Sequence, residues 1–113
     1  MLYVRFDRLF REVVEASPGA VVAYEQQSNR FIGSAHVGLG IIAHLQRACE
    51  ELSVPYTGVT YSTIKKLATG SGVAKKEAMV AAALKRWPEL PADTTDDEAD
   101  ALWSAECART GMV

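Results

Sequence analysis

The chain has 113 residues, 49% of them hydrophobic and 23% charged, with a formal net charge of −2. That suffices for one modest core, so a single domain over residues 1–113 is expected, and no run approaches the ~18 consecutive apolar residues that a membrane span needs. The opening Met1-Leu2-Tyr3-Val4-Arg5-Phe6-Asp7-Arg8 carries charge every few residues and no apolar stretch ending in a cleavage site, so a cytoplasmic protein is expected.

Between Tyr3 and Val14, the apolar residues Phe6, Leu9, Phe10, Val13 and Val14 recur at spacings of three and four, which predicts a helix with one buried face. Ser17-Pro18-Gly19 ends it, because proline cannot donate to a helical ladder and glycine tolerates the left-handed exit. Ala20 to Tyr24 is a short apolar run rich in β-branched and aromatic residues, predicted as a strand buried on both faces that delivers Glu25 at its C-terminal end. A polar, glycine-containing connection over 26–34 leads into the second and longest helix, with Val37, Ile41, Ile42, Leu45, Ala48, Cys49 and Leu52 along one stripe. Pro55 opens a second strand that runs through Val59. Two strands separated by a long helix form a βαβ unit, so the fold class is α/β with a short parallel sheet flanked by helices.

Ser62 is the expected N-cap of a brief helical turn carrying Ile64, Lys65, Lys66 and Leu67. Thr69-Gly70-Ser71-Gly72 must be a loop, after which helical period resumes with Met79, Val80, Ala83, Leu84 and Trp87 and stops at Pro88 and Pro91. Thr95-Asp96-Asp97-Glu98 matches the capping box, in which the Thr hydroxyl and the Glu carboxylate satisfy each other's free backbone N–H groups. The last helix therefore starts there and runs to about Ala108, with the end fraying from Thr110.

The small net charge conceals a segregation. Lys65, Lys66, Lys75, Lys76, Lys85 and Arg86 face the single acid Glu77 between positions 65 and 86, whereas Glu89, Asp93, Asp96, Asp97, Glu98, Asp100 and Glu106 follow with no base among them. Opposed blocks of this kind are solvated faces in many proteins, and they also suit an enzyme that acts on a polyanion through a bound cation. Cys49 and Cys107 have no Cys or His at metal-ligand spacing and are expected as small core residues; His36 and His44 lack an acid at matching spacing. Glu25 closes an apolar strand at the sheet end where open α/β folds place their sites. Asp97 and Asp100, three apart, share one helix face, although the helix dipole alone also favours acids in a first turn. Together these three carboxylates offer the oxygen ligands that magnesium takes, and Lys65 and Lys76 flank the glycine loop where they would neutralise phosphates. The glycine loop lacks GxxxxGK[ST] spacing and does not follow a strand directly, so it is no P-loop.

In this order the pieces resemble the RuvC-like family of Holliday junction resolvases, of the RNase H-like superfamily, and especially its short phage and prophage members. The matching stretches are Val21-Val22-Ala23-Tyr24-Glu25-Gln26, Ile64-Lys65-Lys66 with Thr69-Gly70-Ser71-Gly72-Val73-Ala74-Lys75-Lys76, and Asp97-Glu98-Ala99-Asp100-Ala101-Leu102. The resemblance implies a magnesium- or manganese-dependent endonuclease that hydrolyses phosphodiesters of branched DNA. It implies Glu25, Asp97 and Asp100 as catalytic and metal-binding residues, and Lys65 and Lys76, with their neighbours Lys66 and Lys75, as DNA-binding residues. Family members begin with antiparallel strands whose first contributes another essential aspartate, and this chain is expected to lack that portion. Asp7 lies within a helical pattern and is a poor substitute. A strand left without its usual neighbour presents a bare edge, so a homodimer, or a partner covering the edge, is expected. The alternatives are an inactive prophage remnant that binds DNA or protein, and an unrelated small α/β interaction protein whose acidic helix start is only a cap.

Overall fold

A computed structural model describes residues 1–26 and 32–111. In chain order the elements are α1 (Leu2–Glu15), β1 (Val22–Glu25), α2 (Ile32–Glu51), β2 (Tyr56–Val59), α3 (Tyr61–Thr69), α4 (Lys76–Arg86) and α5 (Asp96–Thr110). The chain divides into two compact units, one of residues 1–22 and 27–56 and the other of residues 23–26 and 57–113.

β1 and β2 are neighbours in a two-stranded sheet. Its register is set by two bonds: the Val22 N–H donates to the Pro55 carbonyl and the Gln26 N–H to the Val59 carbonyl, each at 2.9 Å. Both strands advance four residues between those bonds in the same sense, so the sheet is parallel, and the α/β class read from the sequence holds. β1 begins two residues later than the apolar run suggested, and all four of its residues are half-buried, not enclosed on both faces. Val21, within that run, is 58% exposed.

The first unit pairs α1 with α2. Tyr3 stacks on His44 at 4.9 Å between ring centroids, and a side chain at Gly40 would collide with the Tyr3 phenol. The missing Cβ at Gly40 is what lets the ring lie there, one turn before His44. Arg11 bridges Asp7 (2.9 Å) and Glu51 (2.8 Å), and Arg47 reaches the same Glu51 at 2.7 Å. Of the stripe expected on α2, Leu45, Ala48 and Cys49 are buried, whereas Val37 at its start is exposed. α1 departs from its expected single buried face: Val14 is covered, but Leu2, Leu9 and Val13 are more than half exposed. A connection was expected over 26–34, yet Ile32 to Ser34 already belong to α2; residues 27–31 lie outside the described residues.

The second unit holds a core of Val59, Ile64, Met79, Ala83, Ala99, Trp103 and Cys107. Alanines at 83 and 99 let helix backbones approach closely, and the remaining volume is filled by Met79 and by Trp103, whose ring lies 4.8 Å from that of Trp87. Cys49 and Cys107 are free and buried, as expected. The α3 cap lies earlier than the sequence suggested. Thr60, leaving β2 in extended conformation, accepts the Thr63 N–H, so Ser62 is inside the helix and the expected brief turn becomes nine residues. Gly70 ends α3 in the left-handed conformation (φ 84°), which glycine adopts without strain. The capping box at α5 is present with both reciprocal bonds. Thr110 is still helical and Gly111 caps it, so the expected fraying does not include Thr110; residues 112 and 113 lie outside the described residues.

Candidate active site

β1 ends at Glu25 and α5 starts at Asp96, and the second unit brings these two ends to one cavity. It has a volume of about 200 Å³ and is lined by Ala23, Tyr24, Glu25, Asp97, Asp100, Ala101 and Ser104. All three acids singled out in the sequence therefore face the same space. The capping box fixes the first turn of α5, and the three-residue spacing then turns Asp97 and Asp100 to one side. Ser104, one turn further, spends its hydroxyl on the Asp100 carbonyl at 2.8 Å.

The electrostatics follow from this crowding. Burial raises the Glu25 carboxyl, and the charges of Asp100 and Asp97 raise it further, to about 7, while Lys65 opposes them. Asp100 is raised as well, by burial first and then by Asp96 and Asp97, with Lys65 and Lys76 pulling the other way. The Asp100 Oδ1 atom is buried and has no hydrogen-bond partner. A buried carboxylate oxygen without a donor is costly, and such an atom commonly marks a place where a ligand belongs.

The donor chemistry suits a hard divalent cation, since carboxylate oxygens are what magnesium and manganese take. Among the described residues, however, no group of three or more His, Cys, Asp or Glu side chains stands together so as to hold a metal ion. Asp7, the weak substitute, is held by Arg11 in the first unit.

The lysines divide in behaviour. Lys76, the first residue of α4, lies 3.7 Å from Asp96. Lys65 sits over the ring of Tyr61, with Nζ 4.1 Å from the centroid. Lys66 and Lys75 are exposed. Tyr61 was not singled out in the sequence. Its hydroxyl is raised by burial and then by Asp100, Glu25, Asp96 and Asp97, which places it in the field of the same acids. The available signal was an aromatic residue four positions before a lysine on one helix.

No family model matches the sequence, and no curated protein matches it. Solved structures do. The chain is similar to a Thermus thermophilus RuvC structure at 24% identity and a TM-score of 0.79, over 96% of this chain and 69% of that one. It is equally similar to T. thermophilus RuvC in complex with Holliday junction substrate, at 23% identity and the same TM-score and coverage. The fold is that of RuvC. Within the described residues no helix is long and apolar enough to cross a membrane.

Proposed function

We propose that the chain is a RuvC-like, metal-dependent endodeoxyribonuclease acting on branched DNA. The observation that carries this reading is the convergence of Glu25 from the end of β1 with Asp97 and Asp100 from the start of α5 on one cavity. The RuvC fold, and a neighbour bound to a Holliday junction, support the same reading.

Glu25, Asp97 and Asp100 would hold the divalent ion. When bound, such an ion supplies Lewis-acid charge and a more acidic water for phosphodiester hydrolysis. The chain's own part is electrostatic and positional. Asp100 presents a buried, unpartnered oxygen, and Glu25, raised to about 7 in the metal-free site, would give up its proton on taking the ion. Lys65, Lys66, Lys75 and Lys76 contribute cations within the same unit, so a phosphate backbone meets positive charge while the acids take the metal. As partners we propose branched DNA and a second copy of the chain, the latter supported by the apolar Leu2, Leu9 and Val13 left exposed on α1.

The decisive experiment incubates synthetic four-way junctions with the protein and magnesium or manganese, beside Asp97→Asn and Asp100→Asn. Metal-dependent cleavage by the parent, reduced at least about a hundredfold in each variant, is the expected outcome. Cleavage that persists in both variants removes the site assignment. Junction binding without cleavage by the parent favours a DNA-binding module.

A further inference from the structure

Lys65 and Tyr61 are one turn apart on α3, and the lysine Nζ lies 4.1 Å above the ring centroid. On an isolated helix such a pair is a minor surface contact. Here the surroundings differ. The ring is half-buried, its hydroxyl lies in the field of Asp100, Glu25, Asp96 and Asp97, and Lys65 in turn acts on both Glu25 and Asp100. Yet among the described residues Lys65 forms no ion pair with any acid, whereas Lys76 is drawn to Asp96. A flexible ammonium beside several carboxylates would ordinarily collapse onto one of them. The ring face offers a competing site that holds the charge by its quadrupole and leaves the ammonium hydrogens free for an oxygen ligand.

We infer that Tyr61 is a positioning residue, whose ring holds the Lys65 ammonium beside the acidic cavity and off its carboxylates, ready for a phosphate of the nucleic acid. This rests on the reading of the cavity as a nuclease site. Lysine carries much rotamer freedom, and a stem already ordered by a ring loses less of it when phosphate binds. The hydroxyl has no part in the argument. Phenylalanine should therefore replace Tyr61 and leucine should not.

The test compares the parent with Tyr61→Phe, Tyr61→Leu, Lys65→Met and the Tyr61→Leu/Lys65→Met pair. Three readouts are taken on each: circular dichroism and melting, the NMR shift of the Lys65 ε-methylene protons, and binding and cleavage of a synthetic four-way junction. In the parent and in Tyr61→Phe those protons should be displaced upfield by the ring current, and in Tyr61→Leu they should return to the ordinary lysine position. Junction affinity should be kept within about twofold by Tyr61→Phe and weakened about threefold to tenfold by Tyr61→Leu. The pair should be no weaker than Lys65→Met alone, because the ring acts only through the lysine. A folded Tyr61→Leu protein that binds and cleaves like the parent overturns the inference. So does a loss that adds in full to that of Lys65→Met. A parent that neither binds nor cleaves junctions overturns the nuclease reading along with it, which tells the two failures apart.

Discussion

A half-buried carboxyl beside two aspartates gives up its proton late, and Glu25 does so at about 7 against an ordinary 4.5. Its folded form binds more protons than its unfolded form between those values. The stability it contributes is therefore complete below pH 4.5 and is lost as the pH rises towards 7. Glutamine keeps the shape and removes the titration. We expect Glu25→Gln to match the parent near pH 4.5 and to exceed it at pH 8 by about 1–2 kcal/mol, a range already reduced for solvent screening of a partly exposed group. Urea denaturation at the two pH values measures this. Parallel stability curves for parent and variant would show that Glu25 is solvated and does not feel Asp97 and Asp100.

At the level of single elements, the start of α5 matters most, because two of the three acids hang from its first turns. Thr95 Oγ1 accepts the Glu98 N–H at 3.2 Å, and Glu98 Oε1 accepts the Thr95 N–H, also at 3.2 Å. Thr95→Ala removes the hydroxyl that accepts the Glu98 N–H while leaving the Thr95 N–H to Glu98 bond in place, and should cost about 1 kcal/mol, or some 4–6 °C in melting temperature. Thr95→Ser, which keeps the hydroxyl, should stay within about half of that loss. The cap was legible in the sequence because its signature is local: four consecutive residues satisfy each other. The cap of α3 was misplaced by two residues for the complementary reason. Thr60 and Ser62 are both competent caps, and the choice is made by where β2 lets go of the chain, which is a tertiary fact. The exposure of Leu9 and Val13 was likewise invisible, since periodicity reports that a helix has an apolar face and not how wide a face its neighbour covers. The acidic trio was legible as residue types at element ends. Its meeting in one cavity was not, because nothing in the spacing from Glu25 to Asp97 says which side of the sheet receives α5. Tyr61 went unnoticed because an aromatic residue at helical spacing is more often simply core.

For the whole molecule the question is how a chain of net charge −2 takes hold of a polyanion. The sum is repulsive, so attraction must come from a local group, and Lys65, Lys66, Lys75 and Lys76 lie within twelve residues of chain on α3 and at the start of α4. If each meets one phosphate, the logarithm of the junction affinity should fall with the logarithm of salt at a slope of about −3.6 per copy of the chain. Two copies on one two-fold junction should give about −7. Leu2, Leu9 and Val13 on α1 are the apolar surface that a second copy would cover, and charge at its middle should oppose that. We therefore expect the parent to sediment as a dimer and Leu9→Lys as a folded monomer, with the salt slope of junction binding halved in the variant. A parent that sediments as a monomer at high protein concentration, with a slope near −3.6, would show that one copy binds alone and that the α1 surface serves some other contact.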